Sequence, residues 1–222
     1  MLSFIQSKLL RHNKTNAEIN IIRWFLLFII LFCFLGNIGC AQKYKYLWKI
    51  KDRTWKGGNI PLWYNPKGQV FTEEEALRAL RASVASWESA CGVSFLYMGT
   101  TEQELLNRPD DKFVIGWIDG NTYRDRFGTS SLAHTRIWWN FSFIFDGEIS
   151  INREEWRNRI QNNRTDVLQG IMTHELGHAI GLDHSSIVDS IMYFPYHSAI
   201  YQKTLREYDI NAARELYPIV TK

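Results

Sequence analysis

Three histidines and a glutamate are the residues of this 222-residue sequence whose types and spacing suggest chemistry. They lie in the stretch His174-Glu175-Leu176-Gly177-His178-Ala179-Ile180-Gly181-Leu182-Asp183-His184. On a helix, residues four apart project from one face, so the imidazoles of His174 and His178 can share an ion. Glu175 is one step round from His174. It can reach a water beside that ion without ligating it. Catalytic zinc typically takes three protein ligands and keeps a fourth position open. The third ligand must then come from beyond the helix. Gly181 offers the way out, because glycine adopts left-handed conformations and ends helices. His184 then returns towards the metal. The plain alternative is a helix with two ordinary histidines and a C-cap glycine, which gives no reason for the full eleven-residue pattern. A purely structural zinc is expected to have four protein ligands and no use for Glu175.

These residues need elements to carry them. Thr165 reads as the cap of a helix running to about Ile180, with Leu168, Ile171, Met172, Leu176 and Ala179 on its apolar side. Residues 60–65 read as a strand between Gly57-Gly58 and Pro66-Lys67-Gly68. Thr72 and Glu75 form a capping box, and Ala76, Leu77, Leu80, Val84 and Trp87 follow at helical spacing until Gly92. Strands are predicted at 93–98, 112–118 and 132–139, with a short one at 148–151 and a last helix at 204–217. Strand, helix, several strands and two helices imply an α+β domain: a twisted mixed sheet, an active-site helix and a C-terminal helix.

The N-terminal part differs from the rest. Lys8, Arg11, Lys14 and Arg23 precede twelve unbroken apolar residues, 24–35. That is short for a membrane span and suits an export signal. Residues 1–41 are therefore read as a leader and 42–222 as the exported domain. The leader ends in one of three ways: a cut after Ala41, cleavage and lipidation at Cys40, or retention as an anchor. The formal charge of +3 belongs to the leader, and the remainder is formally neutral, a poor profile for nucleic-acid binding. Cys91 is the only cysteine outside the leader, so no disulfide is expected within the domain.

The zinc motif resembles that of the metzincins and, among them, the matrixins (matrix-metalloproteinase-like proteins). Ser185 follows the third histidine, as is usual there. Ser190-Ile191-Met192-Tyr193 resembles the Met-turn, whose methionine forms an apolar floor under the metal ligands. Leu132-Ala133-His134 resembles the matrixin edge strand. The resemblance implies one catalytic zinc on His174, His178 and His184, with Glu175 as general base. It implies an extended peptide or protein substrate paired with backbone at Leu132 and Ala133, and a side-chain pocket shaped by Phe194, Pro195 and Tyr196. His134 matches a position that binds a second zinc in matrixins, but Ser150 stands where another ligand is expected, so that site is not expected here. Asp146, Glu148 and Glu155 are the carboxylates a calcium site would use, although a solvated acidic edge is the reading preferred for them.

The sequence therefore points to an exported zinc endopeptidase acting as a monomer, in contact with a membrane only through its N-terminal segment or a lipid. Two alternatives stand beside it: a processing peptidase of narrow specificity, and a zinc-containing surface lipoprotein that binds a partner without turnover.

Overall fold

The computed structural model describes residues 53–159, 164–194 and 204–219. Residues 1–41, read above as a leader, with Cys40 among them, and Pro195 and Tyr196 lie outside the described residues. The elements run β1 (Thr54–Trp55), a 3-10 turn, β2 (Asn59–Asn65), α1 (Glu73–Ala90), β3 (Ser94–Thr100), β4 (Phe113–Ile118), α2 (Gly120–Phe127), β5 (Ala133–Asn140), β6 (Phe143–Asn152), α3 (Arg153–Arg159), α4 (Thr165–Ala179) and α5 (Glu207–Leu216). This is the expected α+β domain with a mixed sheet. Strands β3, β2, β4 and β6 are parallel neighbours in that order. β5 pairs antiparallel with β6 at the sheet edge, and short β1 lies parallel to the start of β6. No described helix is long and apolar enough to cross a membrane.

Helix α1 starts as its sequence dictates. The Thr72 hydroxyl accepts from the Glu75 N–H, and the Glu75 carboxylate accepts from the Thr72 N–H at 3.0 Å. α1 and α4 then pack together in the core. The Trp87 indole donates to the Thr173 carbonyl at 2.8 Å, and the Ser83 hydroxyl donates to the Gln169 carbonyl at 2.9 Å. These bonds satisfy polar groups that would otherwise be buried alone. At the far end of α4, the Trp55 indole donates to the Ala179 carbonyl. The Tyr217 hydroxyl, just past α5, accepts from the Trp55 N–H, so β1 ties α4 and α5 together.

Three expectations need correction. Thr165 is the first residue of α4, not its cap. Arg164 holds the cap position without a side-chain cap bond and pairs with Asp166. The closing helix is shorter than 204–217, spanning Glu207–Leu216. The largest difference is β6, which has ten residues rather than four. Asp146, Glu148, Ser150 and Asn152 alternate along it and are all buried. Asp146 and Glu148 are therefore not a solvated edge. The Glu148 carboxylate accepts the N–H groups of Leu106 and Asn107. Asp146 accepts those of Asp110 and Asp111. Together they clamp a loop over the sheet, which compensates for their desolvation. Burial still raises both carboxyls above their ordinary range. Polar alternation thus signals an outward face by composition and an inward one in the fold.

Candidate active site

Helix α4 presents His174 and His178 one turn apart, and the chain must then reverse to bring in His184. Gly181 makes that reversal at φ +100°, a backbone state that L side chains rarely adopt. Its N–H bonds to the His178 carbonyl at 2.9 Å, and the Leu182 N–H bonds to the Gly177 carbonyl at 3.0 Å, satisfying the helix end. A Cβ on Gly181 would lie 2.5 Å from the Arg53 carbonyl oxygen, so the position is closed on steric grounds as well. The Asp183 carboxylate accepts from the His184 N–H and fixes the backbone that presents this ring.

The three imidazoles meet. His178 Nε2 lies 3.1 Å from His174 Nε2 and 3.2 Å from His184 Nε2. The opposite nitrogens explain what this means. His174 Nδ1 is 2.7 Å from the Ile191 carbonyl, and His178 Nδ1 is 2.9 Å from the Leu182 carbonyl. A carbonyl only accepts, so both Nδ1 atoms carry the proton. Burial supports the neutral ring by lowering the His174 pKa to about 4. Both Nε2 atoms then present bare lone pairs to each other, which repel unless a cation lies between them. Tetrahedral zinc with ordinary Zn–N bonds sets its nitrogens about 3.3 Å apart, so the cluster fits such an ion. Among the described residues it is the one histidine or carboxylate group that converges in this way.

The floor below is built by a turn. Ser185 and Tyr193 form a parallel bridge, with the Ser185 N–H donating to the Met192 carbonyl at 2.7 Å. Met192 is fully buried. A Cβ on Gly177 would lie 2.3 Å from its sulfur, so the glycine lets the turn press against α4. Buried Asp209 of α5 holds the turn from behind, accepting from the Ser190 hydroxyl at 2.6 Å, the Ile191 N–H at 3.3 Å and the Arg206 N–H at 2.7 Å. Ile191 is the residue whose carbonyl orients His174. Sequence reasoning missed Asp209, because a carboxylate on a surface-looking helix carries no local sign of burial.

Glu175 lies beside the histidines in a cleft of about 430 Å³, lined also by Ala133, His134, Thr135, Ile137 and Phe194. Burial raises its carboxyl to about 7. The opposing influence is Thr135 on β5, whose hydroxyl donates to Glu175 Oε2 at 2.6 Å and lies 3.0 Å from the Glu175 carbonyl oxygen. Thr135 was also missed in the sequence. Only the pairing of an edge strand with the helix reveals it. Phe194 stacks on the His184 ring, centroids 4.8 Å apart. Leu132 is buried and its carbonyl accepts from the Asn152 N–H, whereas Ala133 lines the cleft. His134 faces Ser150 across the sheet and lies against the Phe127 ring.

A mixed sheet with a helix-borne three-histidine cluster and a glutamate beside it is a metzincin-type arrangement. The family model described as Matrixin matches residues 54–218, and the chain belongs to the matrixin family. Curated relatives include karilysin of Tannerella forsythia, 29% identical over 163 residues, which covers 69% of this chain and 31% of the relative. Metalloendoproteinase 5-MMP of Arabidopsis thaliana is 29% identical over 65% of this chain and 40% of its own length. Hatching enzyme of Paracentrotus lividus is 28% identical over 67% of this chain and 23% of its own. The chain thus spans less than half the length of each.

Proposed function

We propose that residues 42–222 form an exported zinc endopeptidase, preceded by a leader at 1–41 that is cleaved, lipidated at Cys40 or retained as an anchor. The observation that carries the catalytic reading is the meeting of bare Nε2 lone pairs beside Glu175. His174, His178 and His184 would hold the ion. When bound, zinc polarises the scissile carbonyl and acidifies water at the site. Glu175 takes the proton of the attacking water and passes it to the leaving amine. Thr135 holds one oxygen of Glu175, which leaves the other for the proton. β5 is an edge strand along the cleft, so an extended substrate can pair with its backbone near Ala133. In this reading Phe194 borders the pocket for the side chain beyond the cut.

The purified protein is expected to hold about one zinc per chain, to digest casein and to stop when the metal is chelated. Glu175→Ala should keep its zinc and lose turnover. A variant that digests casein as fast as the parent would remove Glu175 from the mechanism.

A further inference from the structure

The edge strand β5 continues past the cleft. Ala133, Thr135 and Ile137 line the cleft, and alternation along a strand puts Trp139 next on the same face. The irregularity in this strand pair leaves that alternation intact. Trp138 pairs with Asp146 and Trp139 with Ile144, so the extra residue, Phe145, belongs to β6. Ile137 is buried, whereas Trp139 is 44% exposed. A half-exposed indole in line with a cleft is apolar surface that the fold leaves available.

Two contacts tie this indole to the active-site helix. The Arg53 guanidinium lies over the Trp139 ring, 3.9 Å from its centroid. The Arg53 backbone packs on Gly181, where a Cβ would lie 2.5 Å from the Arg53 carbonyl oxygen. Arg53 thus joins Trp139 to the reversal that presents Asp183 and His184 to the cleft. The guanidinium braces one face of the ring by a cation–π contact and leaves the rest of the indole for a partner. Thr135, on the same strand face, donates to Glu175 Oε2. Trp139 is four residues further, roughly 13 Å along the strand. A peptide extended on β5 rises by nearly the same amount per residue. The residue it brings to Trp139 therefore lies about four positions from the bond that Glu175 would attack.

We propose that Trp139, braced by Arg53, is a specificity-determining subsite that takes an aromatic side chain of the substrate about four positions from the cut. The subsite rests on the endopeptidase reading and narrows its substrates to extended segments with an aromatic residue at that spacing. An aromatic side chain suits the place because an indole pairs with a second ring edge-to-face or offset-stacked. The Arg53 cation disfavours lysine or arginine there.

The test uses the zinc-loaded full chain and peptides long enough to reach Trp139, identical except for phenylalanine or alanine placed three, four or five positions from the cut on either side. On one side only, kcat/KM should favour phenylalanine about threefold to tenfold, with the maximum near the fourth position. Trp139→Ala should erase that ratio, and Trp139→Phe should retain most of it. Both peptides meet the same enzyme sample, so a loss of folded protein cancels from the ratio. Equal rates for the two peptides in the parent overturn the subsite, and so does a preference that Trp139→Ala leaves intact. Faster cleavage with glutamate than with phenylalanine also overturns it, by assigning the place to Arg53 alone. A parent that cleaves none of the peptides removes the endopeptidase reading itself, and the subsite falls with it.

Discussion

Thr135 shows how much one side chain can contribute to this site. Its hydroxyl is the hydrogen-bond donor on Glu175 Oε2, inside a cleft where burial pushes the carboxyl up. A hydrogen bond to a charged group contributes about 1.5–3 kcal/mol. Thr135→Val should therefore lower kcat about tenfold to a hundredfold. KM and zinc content should change little, because Thr135 is outside the histidine cluster. Thr135→Ser should restore most of the rate by returning the hydroxyl. Steady-state kinetics with metal analysis checks this, and equal losses in both variants would reduce Thr135 to a packing role.

The histidine cluster depends on an element far from it in sequence. Helix α5 supplies Asp209, which holds the Ser190–Met192 turn, and the turn supplies the carbonyl that orients His174. Asp209→Ala leaves the Ile191 and Arg206 N–H groups without their acceptor in a buried place. The expected loss is about 2–4 kcal/mol of stability, read by denaturant unfolding. Zinc affinity should fall about tenfold to a hundredfold, as when a ligating histidine loses its outer partner. Unchanged zinc affinity would mean that the turn holds its shape without α5.

At the scale of the molecule, the three histidines join the end of α4 to the chain after its reversal, so an ion there stabilises the fold that assembles it. A ligand at about a thousand times its Kd adds about 4 kcal/mol. For a domain of this size, chelation should lower Tm by roughly 10 °C, and restored zinc should recover it, as calorimetry can test. A Tm indifferent to chelation would mean that the cluster is held without the ion.

The sequence by itself determined the convergence of the three histidines and the helix that carries two of them, because helical spacing and the glycine exit are local geometry. The capping box of α1 and the strands at 60–65 and 112–118 were legible for the same reason. Only the tertiary structure decided which carboxylates turn inward. Asp146, Glu148 and Asp209 have ordinary neighbours in sequence, and each takes hydrogen bonds from a segment 18 to 42 residues away. It also decided that Thr135 meets Glu175, 40 residues on, since that contact forms where an edge strand crosses a helix. Local spacing fixes what a helix face presents, whereas burial and long-range pairing depend on the whole chain having folded.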